Sequence, residues 1–513
     1  MFSLSSNGVP YPFLLPLLLI LSLLFLMKKK IKLPQRKNTT ILPPSPPKLP
    51  IIGNLHQLGE VSHQSLSKLS KKYGPVMLLH LGGIPTVIIS SVEAAKMVLK
   101  VHDLNCCSRP SPAGPRRLTY NFQDVAFAPY GEYWRQMRKV CVLELFSVRR
   151  VQSYRSIREE EVESLMNFIS KSSTSSTPVN LTEKLFALTA SVIFKIAFGK
   201  TFQGSDFDNH RFHEVVTETE AMMGSCLASE CIPYVGWIID RLTGLHQRLE
   251  RVFKELDHFF QQVIDDHKSS ERKKQDHDDF IDVLLKIIKE QSGFGAAMLS
   301  EVNIKAVLLN VFLGGVDTGA ITMIWAMAEL VKKPEVMKKA QDEVRSVIGD
   351  KGKVSDGDTD QLQYLKMIIK ETLRLHPPAP LLVPRETMSH FKINGYDILP
   401  KMLVQVNVWG IGRDPEYWEN PEEFIPERFA DGSIDFKGQD FELLPFGSGR
   451  RICPGIYMAT TLVELGLANL LYRFDWKLPD GMKEEDINME EQTGLSITIS
   501  KKTDLQLVPV KLY

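Results

Sequence analysis

One cysteine, Cys453, sits in "PFGSGRRICPG" (445–455) among three glycines, two prolines and two arginines. A cysteine that only fills a core needs no such neighbours. Gly447, Gly449 and Gly455 allow positive φ and close approach, so backbone N–H groups can point at sulfur. Pro454 stands where a helix begins, its favoured first position. A thiol at a helix N-terminus is favoured as thiolate. Phe446 can shield it from water, and Arg451 marks negative charge nearby. This chemistry suits a soft metal ligand within a larger anionic cofactor. No second Cys or His lies at ligand spacing for zinc. A nucleophilic cysteine would want a His partner, which distant chain could supply.

Further residues carry chemistry in combination. Asp317-Thr318 follow Gly314-Gly315 within one long apolar stretch. Close helix packing is one reading of the glycines; the other is a helix opened locally beside a flat ligand, with an acid and an alcohol placed to handle protons. Glu371 and Arg374 share one helix face, and Arg428 in "PERF" can close a buried, structural Glu–Arg–Arg triad. Trp134 and Arg138 lie four apart on another helix. With Arg385 in "VPRET" and Arg451 they make a donor set fit for carboxylates.

The elements that must hold these groups are mostly helical. The stretch from about Ser300 to Val331 predicts one helix of over roughly 40 Å; Asn303, Lys305, Asn310 and Asp317 argue against its being a membrane span. A second helix is expected directly after Cys453. A hairpin is expected over 76–90 around Gly82-Gly83, a strand pair over 391–408 turning at Asn394-Gly395, and strands at "GLSITIS" and "DLQLVPV". Polar stretches at 171–178, 267–279 and 350–360 read as surface loops. The fold class is mainly α with a minor β part. "GSGRRI" and "GFGAAM" lack the third glycine of a dinucleotide loop, so any electrons taken from a nicotinamide must come through another protein.

The bulk numbers narrow the class. Of 513 residues, 62 are basic and 61 acidic, leaving +1; a nucleic-acid partner, which favours a basic excess, is not expected. The six cysteines form no C-x-x-C pair, which fits a reducing compartment. Val9 to Met27 carries no charge and is followed by "KKKIK". That pattern predicts an uncleaved single-pass transmembrane helix with everything after residue 28 in the cytosol; a cleaved signal peptide would need a basic start and a small-residue site. The expected organisation is an anchor at 1–33, a proline-rich hinge at 34–54 and a catalytic domain at 55–513.

The set "PFGSGRRICPG", "ETLR", "PERF", "GGVDT" and "WRQMR" resembles the cytochrome P450 family of haem-thiolate monooxygenases along nearly the whole chain. "PPSPPKLPIIGNLHQLG" and "YGEYWRQMRKVCVLELFS" are similar to the plant A-type enzymes of family 71, which sit on the endoplasmic reticulum. The resemblance implies haem b, with Cys453 as the axial iron ligand. It implies that Trp134, Arg138, Arg385 and Arg451 hold the propionates, with Phe446 beside them, and that Asp317 and Thr318 deliver protons. Gly319 departs from the Ser or Thr often found there. A substrate pocket is implied at Asn310, Gly314, Ala379, Leu382, Val383 and Leu495. The implied reaction is NADPH- and O₂-dependent insertion of one oxygen atom into a lipophilic plant metabolite (terpenoid, alkaloid, phenylpropanoid or aldoxime). The implied electron donor is a membrane-bound NADPH–cytochrome reductase, which Lys139 and Arg450 could face. Two alternatives stand beside it: rearrangement or dehydration without net oxygenation, and a non-catalytic membrane haem binder.

Overall fold

A computed structural model describes residues 40–512, apart from 176, 202–208, 225–226, 233–235, 271, 273–276, 291–298 and 495. The anchor expected at residues 9–27 and the pocket position Leu495 lie outside the described residues. The chain divides into two units, Met1–Ile41 and Leu42–Tyr513, and the second holds every described helix and strand.

The principal helices are α1 (Glu132–Val140), α2 (Leu181–Phe198), α3 (Asn209–Gly224), α4 (Leu245–Lys268), α5 (Glu301–Lys332), α6 (Gln363–Leu375) and α7 (Ile456–Arg473). The strands are β1 (Val76–Leu81), β2 (Ile84–Ile89), β3 (Val179–Asn180), β4 (Arg385–Glu386), β5 (Phe391–Ile393), β6 (Tyr396–Ile398), β7 (Leu403–Val406), β8 (Phe474–Lys477) and β9 (Gln506–Lys511). They form sheets in the orders β1-β2-β7-β4, β3-β9-β8 and β5-β6. The architecture is mainly helical with a small sheet part.

The centre of the fold is α5. Ser300 caps it, its N–H and hydroxyl both donating to Asn303 Oδ1 at 2.7 Å. By length and composition it could cross a membrane, but it is mostly buried inside the protein. It is apolar on every side because α2, α4, α6 and α7 surround it, which is what an all-round apolar helix requires. A second apolar cluster backs the β1-β2-β7-β4 sheet. The proline stretch also belongs to this unit. Leu78 N–H donates to Pro44 O at 2.8 Å, and the Asn54 amide donates to Pro46 O at 3.3 Å. Residues 42–54 therefore lie against β1 rather than forming a loose linker.

Three expectations fail locally. "GLSITIS" forms no strand among its described residues: the Ser496 and Thr498 hydroxyls turn to Glu220 instead. The helix after the cysteine begins at Ile456, with Gly455 as its N-cap at φ −90°. Pro454 thus precedes the first turn, and Gly455 is not left-handed.

Candidate active site

The cysteine loop is shaped by two glycines at φ +70°, Gly447 and Gly449. A Cβ on Gly449 would lie 2.3 Å from Leu99 O and 2.8 Å from Asp103 Oδ1, so the loop closes on that segment only with glycine there. Cys453 N–H donates to Phe446 O at 3.0 Å. Phe446 packs edge-on against Phe436, ring centres 5.4 Å apart. The Cys453 side chain is solvent-accessible, yet protein surrounds it closely enough that burial raises its thiol pKa. Both hold if the sulfur lines an interior space rather than the outer surface. The Gly455 N–H and Arg138 act on the sulfur in the opposite direction.

The long helix offers a matching opening. Gly314, at its middle, is exposed, and a Cβ built there meets nothing within 4 Å. One residue on, a Cβ at Gly315 would lie 2.4 Å from Ile193 Cδ1 of α2. The two glycines therefore divide the two expected uses: Gly315 permits helix packing and Gly314 leaves room. The helix is not broken between them. Instead the Thr318 hydroxyl donates to Gly314 O at 2.8 Å. Asp317 is buried, and its carboxyl is held well above the usual range by burial and then by the neighbouring Glu220. Gly319 faces Thr189 and Val463 at 3.4 and 4.0 Å from an added Cβ, an apolar setting for a missing hydroxyl.

Arginines crowd the cysteine loop. Arg138 donates to Ile452 O, and burial lowers its pKa. Arg451 donates to Cys107 O, Val125 O and Ala128 O, at 2.8, 3.2 and 2.6 Å. Its guanidinium lies 4.1 Å from the Trp134 ring centre, and burial pushes its pKa down to about 9. The Trp134 N–H donates to Val125 O at 3.0 Å. Arg385, expected to face a cofactor carboxylate, has a protein partner: it donates to Asp103 Oδ1 at 2.6 Å and Ser448 O at 2.8 Å. Arg450 shares Asp103, at 2.9 Å.

Sequence reasoning missed Arg109. It is buried and donates to Ala126 O, Val383 O and Pro384 O at 2.9, 2.5 and 2.8 Å. Burial, then Arg451 and Arg385, push its pKa well down. A lone arginine in "CSRP" offered no spacing signal. Asp124, the acid that acts on Arg109 and Arg451, is itself raised to about 6 by burial. The cluster is short of negative charge, and buried cations need anionic partners.

That shortage is the test of fit for the implied haem. A flat group bearing two carboxylates and a thiolate-seeking metal matches surplus guanidinium, an accessible buried sulfur and the open side of the helix at Gly314. The raised free-thiol value does not oppose this, since a coordinating metal deprotonates a thiol outright.

The other expected residues fall as follows. Glu371 and Arg374 are fully buried and paired at 2.7 and 2.8 Å, with Arg428 Nε 3.0 Å from the same carboxylate. Asn310 is not available to a substrate in the way expected: its Oδ1 accepts from the Val125 and Ala126 N–H groups, both at 3.0 Å, and its amide donates to Asp124. It anchors the 124–126 loop to α5. Ala379, Leu382 and Val383 are half-buried in the segment before β4, Leu382 at φ +52°.

Comparison with known proteins agrees in kind. The family model described as Cytochrome P450 matches residues 43–507. Cytochrome P450 71B37 of Arabidopsis thaliana is 58% identical over 494 residues, covering 96% of this chain and 98% of that protein. Cytochrome P450 71B36 of the same plant is 55% identical, covering 96% and 99%. A zebra fish cytochrome P450, solved with abiraterone, aligns at TM-score 0.73 and 23% identity, covering 89% of this chain and 100% of its own; it bears on the fold alone.

Proposed function

We propose that this chain, which belongs to the cytochrome P450 family, inserts one oxygen atom from O₂ into a lipophilic small molecule. It is a haem-thiolate monooxygenase of plant secondary metabolism, with haem b as cofactor and electrons supplied from NADPH through a reductase. The observation that carries the residue assignment is the accessible yet enclosed Cys453 sulfur beside arginines short of anionic partners.

When bound, the haem supplies the oxygen-activating chemistry. Cys453 would hold its iron. Arg109, Arg138, Arg451 and the Trp134 N–H would hold its carboxylates, exchanging loop carbonyls for charge-assisted partners, while Arg385 stays paired with Asp103. Phe446 and Phe436 cover the loop and exclude water. Asp317 stores a proton in a buried carboxyl, and Thr318 presents a hydroxyl beside the opening at Gly314. Lipophilic substrate follows from the pocket positions: Gly314, Ala379, Leu382 and Val383 carry no polar side chain, and the Asn310 amide is already used by the 124–126 loop.

Membrane association fits a further feature. Leu42, Leu49 and Ile51 are exposed, as are Trp237, Ile238, Ile239 and Leu242 of the Gly236–Leu242 helix. The β1–β2 turn joins the two sets: Gly82 N–H donates to Ile52 O at 3.1 Å and Gly83 N–H to Cys231 O at 2.7 Å. This apolar face suits a protein that lies on the endoplasmic reticulum with its catalytic unit in the cytosol.

The test is a panel of plant metabolites incubated with the protein, a plant NADPH–cytochrome reductase and isotopically labelled O₂. A product carrying one labelled atom supports the reading. A product formed without label or NADPH would replace it with rearrangement or dehydration.

A further inference from the structure

The arginines around the cysteine loop are not alike. Arg109, Arg138 and Arg451 donate to backbone carbonyls. Arg385 donates to a carboxylate, Asp103 Oδ1, at 2.6 Å. Asp103 is buried at the start of the short Asp103–Cys106 helix. Its other oxygen, Oδ2, accepts from the loop itself: the Arg450 N–H at 3.1 Å and the Arg450 guanidinium at 2.9 Å. Arg385 completes the ring by donating to Ser448 O at 2.8 Å. One carboxylate therefore ties β4 to the 448–450 stretch of the cysteine loop.

The local chain is built for this contact. Gly449–Arg451 is a single tight turn. The first N–H groups of such a turn have no partner inside it, and Asp103 satisfies one of them. A Cβ on Gly449 would lie 2.8 Å from Asp103 Oδ1, so the carboxylate sits directly on the turn. The segment after Asp103 is fixed along β4, by Glu386 N–H to Ser108 O at 2.9 Å and Met388 N–H to Asn105 O at 2.7 Å. Gripped by two guanidinium groups, Asp103 is a fixed negative charge beside the loop. Cys453 lies three residues past Arg450, a span of at most about 11 Å, which puts that charge within roughly 15 Å of the sulfur.

We propose that Asp103 is a positioning residue for the cysteine site that also sets its potential: it holds the Gly449 turn of the Cys453 loop and offsets the Arg385 charge beside the iron. This rests on reading Cys453 as the iron ligand. An electron arriving at the iron is disfavoured by nearby negative charge and favoured by positive charge. Removing the Asp103 charge therefore stabilises the reduced state. At roughly 15 Å and an effective dielectric of about 20, the reduction equilibrium moves about fivefold.

The test is the ferric–ferrous midpoint potential of the full-chain holoenzyme, titrated beside the reduced CO spectrum. Asp103→Asn should raise the midpoint by roughly 40 mV, which is that fivefold at about 59 mV per tenfold for one electron. Asp103→Asn combined with Arg385→Gln removes both charges of the pair and should bring the midpoint back towards wild type, although it mends no bond to the loop. A role in folding alone would leave the double variant at least as far displaced as the single one. Arg450 is about half exposed, and Arg450→Gln keeps the buried pair; it should lower the midpoint, and it decides the matter if Asp103→Asn takes up no haem. A midpoint unmoved in Asp103→Asn, a double variant further from wild type than the single one, or an Arg450→Gln midpoint at or above wild type overturns the proposal. A wild type without the red-shifted CO band would instead remove the reading of Cys453, so the two failures are distinguishable.

Discussion

Replacing Glu371 by alanine should be among the most damaging changes outside the cysteine loop. Its carboxylate accepts from Arg374 Nε at 2.7 Å, Arg374 Nη2 at 2.8 Å, Arg428 Nε at 3.0 Å and the Ile425 N–H at 2.7 Å. Glu371 and Arg374 side chains are wholly inaccessible to water. Arg374 also donates to Gly412 O, Pro421 O and Glu423 O, so it cannot swing out to solvent without breaking those bonds. Removing one partner of such a pair costs about 3–5 kcal/mol, against a total stability on the order of 5–15 kcal/mol. Glu371→Ala should lower the thermal midpoint by several degrees, on the order of 5 °C, and Glu371→Gln by nearly as much because it too strands Arg374. Arg428→Gln should cost less, since the Glu371–Arg374 pair survives and Arg428 is partly exposed. Thermal denaturation by circular dichroism, with haem retention measured alongside, checks the order. A cost under about 1 kcal/mol for Glu371→Ala, or an Arg428→Gln variant worse than it, would refute the argument from stranded buried charge.

Three further outcomes are expected. Gly315→Ala should destabilise by about 1–3 kcal/mol, because its Cβ meets Ile193, while Gly314→Ala should keep or gain up to about 1 kcal/mol of helix stability and alter which metabolites are turned over; equal thermal midpoints for the two would count against the division of roles. Burial pushes the Glu464 carboxyl on α7 up from 4.5 to about 7, so the stability tied to its proton is present below about 4.5 and lost as pH rises through about 7. Glu464→Gln should therefore gain on wild type at alkaline pH, by about 1–3 kcal/mol allowing for its partial exposure, with denaturant titrations at acid and alkaline pH showing the gap close on acidification. Thr318→Ala should leave the haem spectrum intact and raise peroxide release at the expense of product, by roughly 10²-fold or less; unchanged product per NADPH with an oxygenation substrate would mean that protons arrive by another route.

Much of this site was readable in the sequence because its residues cluster. The "PFGSGRRICPG" loop, the Gly-Gly-x-Asp-Thr run and the Glu371–Arg374 pair each put their chemistry within a few positions. The α5 bounds, expected from about Ser300 to Val331, followed from a long, largely apolar run. What escaped depends on distant partners. Asp103 meets Arg385 across 282 positions, and Glu220 accepts from Ser496 and Thr498 across 276 and 278 positions. Arg109 is a lone arginine whose partners are backbone carbonyls, which no residue type announces. The missing strand near residue 497 had the right alternation. Its two hydroxyls, however, are used by Glu220, and Ile499 N–H donates to Pro378 O at 2.9 Å, so it pairs with a loop in place of a ladder. Alternation reports which faces are buried, not what the backbone bonds to.

The central claim is that Cys453 holds the haem iron through its sulfur. The most direct measurement is the reduced, CO-bound absorption spectrum of wild type and of Cys453→Ala, with haem content determined separately. Wild type should show the strongly red-shifted Soret band of thiolate ligation, and Cys453→Ala should lack it at any haem content. A Cys453→Ala protein that keeps the red-shifted band would contradict the account.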